Sequence, residues 1–336
     1  MHAMSIRRWS TTSKARSLAW DGDDLVDWAD GRRWDVDGSE SRSSHHHAYD
    51  FDRAVASPSG AFQVIYSEHA TKGLILDRGE QVREIDRSYY HAAAYEYPVA
   101  LGRLADGREV IAHCPQEYNR LQIDELHSGD RLTIRDGDSE DIFHSRLAFS
   151  ESGRWLLSAG WVWHPLDIAE VFDVASALSD PASLDRQGVV PSSVWNWSTE
   201  IESACWLPGD RLVIVAKPEA EDADAGDDEA HGEDLRHGDL AVWSMEESNW
   251  LSRHQMNMRV GAVLPLHNSL VLSLYGHPKV IDTESGHVTQ QWPEIWTGKR
   301  ESSIGRTSVP AVSVHSSGLR FAVAADDAIT VVDLEN

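Results

Sequence analysis

Arg53-Ala54-Val55-Ala56-Ser57-Pro58-Ser59-Gly60-Ala61-Phe62-Gln63-Val64-Ile65-Tyr66, followed after a short loop by Leu74-Ile75-Leu76-Asp77, contains one complete repeating unit of this chain. It reads as a strand of small residues, a polar turn in which Gly60 can take positive φ, a second strand, a loop, and a third apolar strand closed by Asp. The closing strand recurs as Arg33-Trp34-Asp35, Leu121-Gln122-Ile123-Asp124, Val171-Phe172-Asp173, Val280-Ile281-Asp282 and Val331-Val332-Asp333, with Ala241-Val242-Trp243-Ser244 in the same place. The ends fall at 35, 77, 124, 173, 244, 282 and 333, so the spacings are 42, 47, 49, 71, 38 and 51. Without a loop of about 20 residues inside the one long step, all match the ~40–50 residues of a propeller blade.

Working back from each closing strand, the small-residue strand also recurs: Ser17-Leu18-Ala19-Trp20, Pro98-Val99-Ala100-Leu101, Arg146-Leu147-Ala148-Phe149, Ser203-Ala204-Cys205-Trp206, Gly261-Ala262-Val263-Leu264 and Ala311-Val312-Ser313-Val314. Polar turns follow, among them Asp21-Gly22-Asp23, Ser150-Glu151-Ser152-Gly153 and His315-Ser316-Ser317-Gly318. Strands crowding a central axis need small side chains, and a sandwich would not keep this fixed order of short turn and long loop. The expectation is an all-β, seven-bladed β-propeller spanning 1–336 as a single domain. The seventh unit reaches only its third strand, and the spare segment Ile6-Arg7-Arg8-Trp9-Ser10 (closing strand about 5–13) is expected to complete that blade and close the ring, since an open blade would leave a long unpaired edge. The chain resembles the WD-repeat and quinoprotein-like superfamily of seven-bladed propellers, bacterial type. That resemblance implies a scaffold that binds other proteins. Trp34-Asp35 is the only Trp-Asp pair that ends a closing strand, so the superfamily's Asp-His-Ser/Thr-Trp network is not carried over to this chain.

The 336 residues carry 55 Asp plus Glu against 30 Lys plus Arg, a formal net charge of −25. Like-charge repulsion argues against nucleic acid or an anionic membrane as partner of the general surface. Two cysteines, Cys114 and Cys205, fit a reducing compartment, and the apolar runs are strand-sized. The expectation is a cytoplasmic monomer without a cofactor or metal.

The loops between second and third strands, and those between blades, should emerge on one face, and they are long and chemically rich. They supply the candidate binding residues His91, Tyr95, Glu96, Tyr97, His113, Glu117, Tyr118, Asn119, Arg120, Trp161, Trp163, His164, Trp195, Trp197, Trp296 and Arg300. Aromatic residues and Arg on loops held by a rigid scaffold dominate binding hot spots. The leading expectation is a non-enzymatic scaffold that binds a protein or peptide across this face. The alternative is an enzyme or small-molecule sensor built on the His/Glu/Arg/Tyr cluster around His91, Glu96, His113, Glu117 and Arg120, with Glu and His as acid and base or as metal ligands. The bland reading of that cluster is a polar network in which Arg120 pairs with Glu96 or Glu117 to order two loops. His113 and Cys114, adjacent on a strand, should point to opposite sides. The acidic stretch 218–234 reads as a flexible solvated loop, and His45-His46-His47 as exposed histidines.

Overall fold

A computed structural model describes residues 5–43, 47, 49–163, 166–190, 199–219 and 235–334. These form eight antiparallel sheets, with almost no helix. Sheet one comprises Ala19–Asp21, Asp24–Asp27, Arg32–Trp34 and Glu40–Arg42; sheet two, Arg53–Ala56, Phe62–Tyr66, Lys72–Asp77 and Glu80–Asp86. Sheet three has Val99–Arg103, Glu109–His113 and Gln122–Glu125, and sheet four Leu147–Phe149, Trp155–Ser158 and Glu170–Asp173. Sheet five contains Ile201–Leu207, Arg211–Ala216, Asp239–Ser244 and Asn249–Gln255, and sheet six Val263–Pro265, Leu270–Ser273, Lys279–Asp282 and Val288–Gln291. Sheet seven joins Ala311–Val314, Arg320–Ala325 and Ala328–Asp333 to the N-terminal strand Ser5–Ser10, which runs antiparallel to Ala328–Asp333 from Ser5 opposite Asp333 to Ser10 opposite Ala328. Each expected small-residue strand and each expected closing strand overlaps an observed one.

The apolar runs exist because both faces of each sheet are covered, and the period-2 alternation deals successive residues to opposite neighbours. On Lys72–Asp77, Leu74 and Leu76 pack with Ala29 of sheet one, whereas Ile75 packs with Val99, Leu101 and Ile111 of sheet three. Val110 and Ala112 of sheet three meet Leu156 and Phe172 of sheet four. Trp155 and Leu157 meet Leu212 and Ile214 of sheet five, whose Val213 and Val215 meet Val271 and Ile281 of sheet six. Leu272 and Val280 of sheet six meet Phe321 and Val323 of sheet seven, and Ala322, Ala324 and Ile329 of sheet seven meet Leu25 and Trp34 of sheet one. Burying a side chain such as Ile75, which has no exposed surface, stabilises by roughly 1.5–3 kcal/mol.

The first turns of successive sheets also bond to one another. Ser59 N–H donates to Glu109 (2.9 Å), Ser152 Oγ to Asp210 (2.6 Å), Arg211 to the Asn268 carbonyl (3.0 Å), His267 N–H to the Gly318 carbonyl (3.3 Å) and Arg320 to Asp23 (3.0 Å). At Gly153, with φ of 71°, a Cβ would sit 1.8 Å from the Arg103 carbonyl oxygen, so only glycine fits where this turn meets sheet three.

Two features depart from the regular pattern. The long turn of the fourth unit folds into a helix, Val174–Ser179, whose N-terminus the Asp173 carboxylate caps through Ser176 N–H, followed by a 3₁₀ turn at Pro181–Asp185. The eighth sheet is small: Trp161–Val162 and Leu166–Asp167 come from the loop between the second and third strands of sheet four, and Ile142–Phe143 from the crossing between sheets three and four. Among the described residues, no helix is long and apolar enough to cross a membrane.

Candidate functional site

The loop between sheets two and three wraps around a buried cation. Arg87, 3% exposed, donates from Nε to the Ala70 carbonyl (2.8 Å), from Nη1 to that of Glu96 (3.1 Å), and from Nη2 to those of Glu68 (3.3 Å), Tyr95 (3.1 Å) and Ala92. Its guanidinium also lies over the rings of Tyr95 and Tyr97, 4.7 and 5.0 Å from their centroids. Burial pulls Arg87 below its ordinary range and pushes the two tyrosine hydroxyls up. One side chain thus fixes both the 88–97 loop and the neighbouring 67–71 loop.

On that support stands an aromatic stack. Phe143, fully buried, stacks on Trp161 (3.8 Å between centroids, 8° between planes) and on Tyr118 (4.3 Å, 27°). Tyr95 meets Phe143 edge-on, Tyr90 packs on Tyr118 (4.9 Å), and Trp163 stands perpendicular to Trp161 (5.4 Å) and His91 (5.1 Å). The base of the stack is buried, but its members Tyr90 and Trp163 are 46% and 40% exposed, and Tyr89, next to Tyr90 in the chain, is 85% exposed. The small eighth sheet explains the arrangement, because pairing Phe143 with Trp161 in register brings two distant loops together.

The polar candidates are engaged separately. His113 is buried, with Nε2 3.1 Å from Asp124, while neighbouring Cys114 lies in the apolar core between sheets three and four. Tyr118 donates its hydroxyl to Asp141 (2.6 Å), and Asn119 donates to the carbonyls of Ser139 and Glu140. Arg120 holds the carbonyls of Arg135 (3.1 Å) and Gly137, with the exposed Glu117 at 3.8 Å. Glu96 pairs with Arg300 (2.5 Å), not with Arg120. The polar cluster of His91, Glu96, His113, Glu117 and Arg120 is therefore not gathered at one point: Glu96 meets Arg300, Arg120 approaches Glu117, and His113 meets Asp124. Tyr95, Tyr97 and Trp161 are buried, and Trp296, 56% exposed, makes no ring contact with the stack. His164, Trp195, Trp197, His45, His46 and most of the 218–234 stretch lie outside the described residues. Burial pushes the Cys114 thiol up and that of Cys205 up to about 12, so neither is a ready nucleophile.

Arg300, a candidate from the sequence, and the five residues after it, which the sequence did not single out, tie this face together. Between sheets six and seven, Arg300 bonds Glu68 (2.8 Å) and Glu96, and Glu301 bonds Arg259 (3.2 Å) and the Tyr275 hydroxyl (2.7 Å). Ser302 Oγ and Ser303 N–H donate to Asp167 (2.6 and 3.1 Å), Ile304 bridges Tyr95, and Gly305 N–H donates to the Ala94 carbonyl (2.7 Å). Burial alone would raise the Asp167 carboxyl, but Arg146 and Lys217 reverse this and hold it below the ordinary carboxylate range. Consecutive residues 300–305 therefore reach loops of sheets two, four and six and the crossings between sheets two and three and between five and six. Arg87, Phe143, Asp167, Ser302 and Ser303 escaped the sequence reading. A Tyr-rich loop directly after a strand-ending Arg was a usable signal for Arg87; the two serines gave none.

No family model matches the chain, and no curated protein does. Among solved structures, a chain titled "Crystal Structure of Mitotic Checkpoint Complex" is similar over 98% of this chain and 91% of its own, with a TM-score of 0.59 and 11% sequence identity. At that identity the likeness is one of fold. It agrees with a propeller-like arrangement of small antiparallel sheets. As many as 1312 chains match, so this architecture is too widely used to single out one role.

Proposed function

We propose that the seven larger sheets are blades of a single closed ring, completed in sheet seven by the N-terminal strand, and that the chain is a non-enzymatic scaffold binding a protein or peptide on the face described above. The ring reading is supported by the inter-sheet cores, which pass from sheet one to sheet seven and back to sheet one. The observation that carries the binding reading is the aromatic shelf: Tyr90 and Trp163 exposed over a buried, stacked base of Phe143 and Trp161, with the exposed Tyr89 next to Tyr90 in the chain. Rigid aromatic side chains supply large contact area at small entropic cost and are enriched at hot spots. The separate engagement of His113, Glu96 and Arg120 favours the scaffold over an enzyme or small-molecule sensor. The fold neighbour's title names a complex, which agrees with protein partners. A cytosolic, monomeric protein without nucleic-acid or membrane partners, in keeping with the net charge of −25 and the free cysteines, belongs to the same proposal.

The test is a Tyr90→Ala/Trp163→Ala double variant, both positions being solvent-exposed, compared with wild type in capture from lysate of the source organism. Loss of specific partners, with an unchanged melting profile, supports the reading. An identical captured set refutes it.

A further inference from the structure

Beside the segment that ties the face together lies a cavity of about 440 Å³, walled by residues 14–16 leading into sheet one, 52–53 at the start of sheet two, 68–69, and 306–309 leading into sheet seven. We propose that this cavity binds a small oxyanion ligand, one carrying a phosphoryl or carboxylate group, at Lys14 and Arg306. The proposal does not depend on partner binding at the aromatic shelf, and it places a second kind of recognition on the same face.

The argument starts from charge. In a chain with 55 carboxylate side chains and 30 basic ones, cations find acidic partners easily. This cavity reverses the balance, with Lys14, Arg16, Arg53 and Arg306 against Asp52 and Glu68. Both carboxylates are already committed. Glu68 is clamped by Arg53 and by Arg300 (2.8 Å), and Asp52 accepts from the Glu68 amide (2.8 Å). Arg16 turns to Asp50 (2.9 Å) outside the wall. The Lys14 ammonium, by contrast, has no partner among the described residues. Arg306 donates only Nε–H, to the Ala93 carbonyl (3.0 Å). That tether anchors the guanidinium while leaving its four Nη hydrogens available, the set that grips a carboxylate or phosphate in a bidentate manner.

The adjacent hydroxyls of Thr307 and Ser308 make no hydrogen bond among the described residues and add neutral donors on the same wall. An oxyanion held there would meet two cations and two hydroxyls. The volume is that of a small-molecule site. The negative field of the remaining surface is screened within about 8 Å at physiological salt, so the local excess of positive charge governs binding once a ligand is inside.

The experiment is isothermal titration calorimetry of the full chain with two probes, pyrophosphate and citrate, at low and physiological salt. Wild type, Lys14→Gln and Lys14→Gln/Arg306→Gln are compared. Binding by wild type with either probe, weakened roughly tenfold by the single change and further by the double one, supports the proposal. Preference for pyrophosphate or for citrate then assigns the ligand class. Lys14 is exposed and its ammonium has no partner among the described residues, so its single variant, which leaves the backbone carbonyl that accepts from Arg32 in place, remains informative if Arg306→Gln disturbs the loop. Absence of heat with both probes, or equal affinity in wild type and Lys14→Gln, overturns the proposal.

Discussion

Replacing Arg87 by Met should be the most damaging single change on the loop face, although Arg87 touches no candidate ligand. The guanidinium bonds five carbonyls, those of residues 68, 70, 92, 95 and 96, in a site with 3% exposure. Hydrogen bonds to a charged group contribute roughly 1.5–3 kcal/mol each, but removing the cation also removes its own burial cost, evident in the depression of its pKa. The net loss is about 4 kcal/mol. Unfolding entropy near 2.1 cal/mol/K per residue amounts to about 0.7 kcal/mol/K for this chain, which converts that loss to a fall in Tm of about 6 °C. Arg87→Lys keeps the charge, but three donors on a flexible stem cannot serve five acceptors, so it should recover less than half of the loss. Hydrogen exchange followed by mass spectrometry supplies the local signature: peptides covering 67–71 and 88–97 should exchange faster, and so should 300–305, because Glu68 and Glu96 both hold Arg300. Peptides from sheet five should not change. A Tm shift below about 1.5 °C, full rescue by Lys, or faster exchange spread evenly over the chain would each refute the reasoning.

Trp9, on the N-terminal strand, packs with Trp34 and Ile329 and faces Gly38, where an added Cβ would sit 2.5 Å from its ring. Trp9→Ala should cost roughly 3–5 kcal/mol, and deletion of residues 1–14 should expose Ala328–Asp333 as an edge and cause aggregation; a truncated chain that melts like the full one by light scattering and circular dichroism would remove the strand's structural role. Glu170 is buried, accepts from Gly188 N–H (2.8 Å), and is raised by burial to about 7. Between its unfolded value of 4.5 and about 7 the native state holds a proton that the unfolded state has lost, so this contribution is complete below pH 4.5 and disappears as pH rises through 7. Glu170→Gln should match wild type at pH 4.5 and exceed it by up to about 3 kcal/mol at pH 8 in denaturant titrations; equal stability at pH 8 would count against the burial argument. His144, lowered to about 4 by burial, acts with opposite sign, its contribution present above pH 6.5 and lost as pH falls towards 4, and the glutamine variant leaves it untouched.

The strands were legible because each sheet is covered on both faces, which forces runs such as Leu74-Ile75-Leu76 to be apolar throughout and ends them sharply at a polar exit. The pairing of Ser5–Ser10 with Ala328–Asp333 was legible as a deficit, a last unit one strand short. Sheet three keeps no fourth strand beyond an isolated bridge from Asp124 to Arg131, and the polar run after Glu125 carries no alternation that could have warned of it. The small eighth sheet was illegible for a different reason. Two-residue strands have no periodicity to detect, and the Phe143 and Trp161 that they pair look like ordinary loop aromatics.

The polar contacts of the face show where reading from one chain stops. Arg120 was expected beside Glu96 or Glu117, on grounds of nearness in sequence. It approaches Glu117 but spends its shortest bonds on the carbonyls of Arg135 and Gly137, while Glu96 is taken by Arg300, 204 residues away. Sequence spacing limits which side chains can meet within one unit. It is silent when the partners come from units far apart in the chain, as Asp167 and Ser302 do across 135 residues. The consequence bears on function. With Arg87, Asp167, Glu68, Glu96 and Arg300 absorbed in fastening loops, most ionisable groups of this face are unavailable for recognition. What remains exposed is largely aromatic, at Tyr89, Tyr90, Trp163 and Trp296, with His91, Glu117 and Lys299 among the exposed ionisable side chains and the cationic cavity at Lys14 and Arg306 beside them. A partner of the proposed shelf must therefore offer apolar or aromatic surface more than charge, and its binding should depend weakly on salt, whereas ligand binding at the cavity should weaken steeply as salt rises.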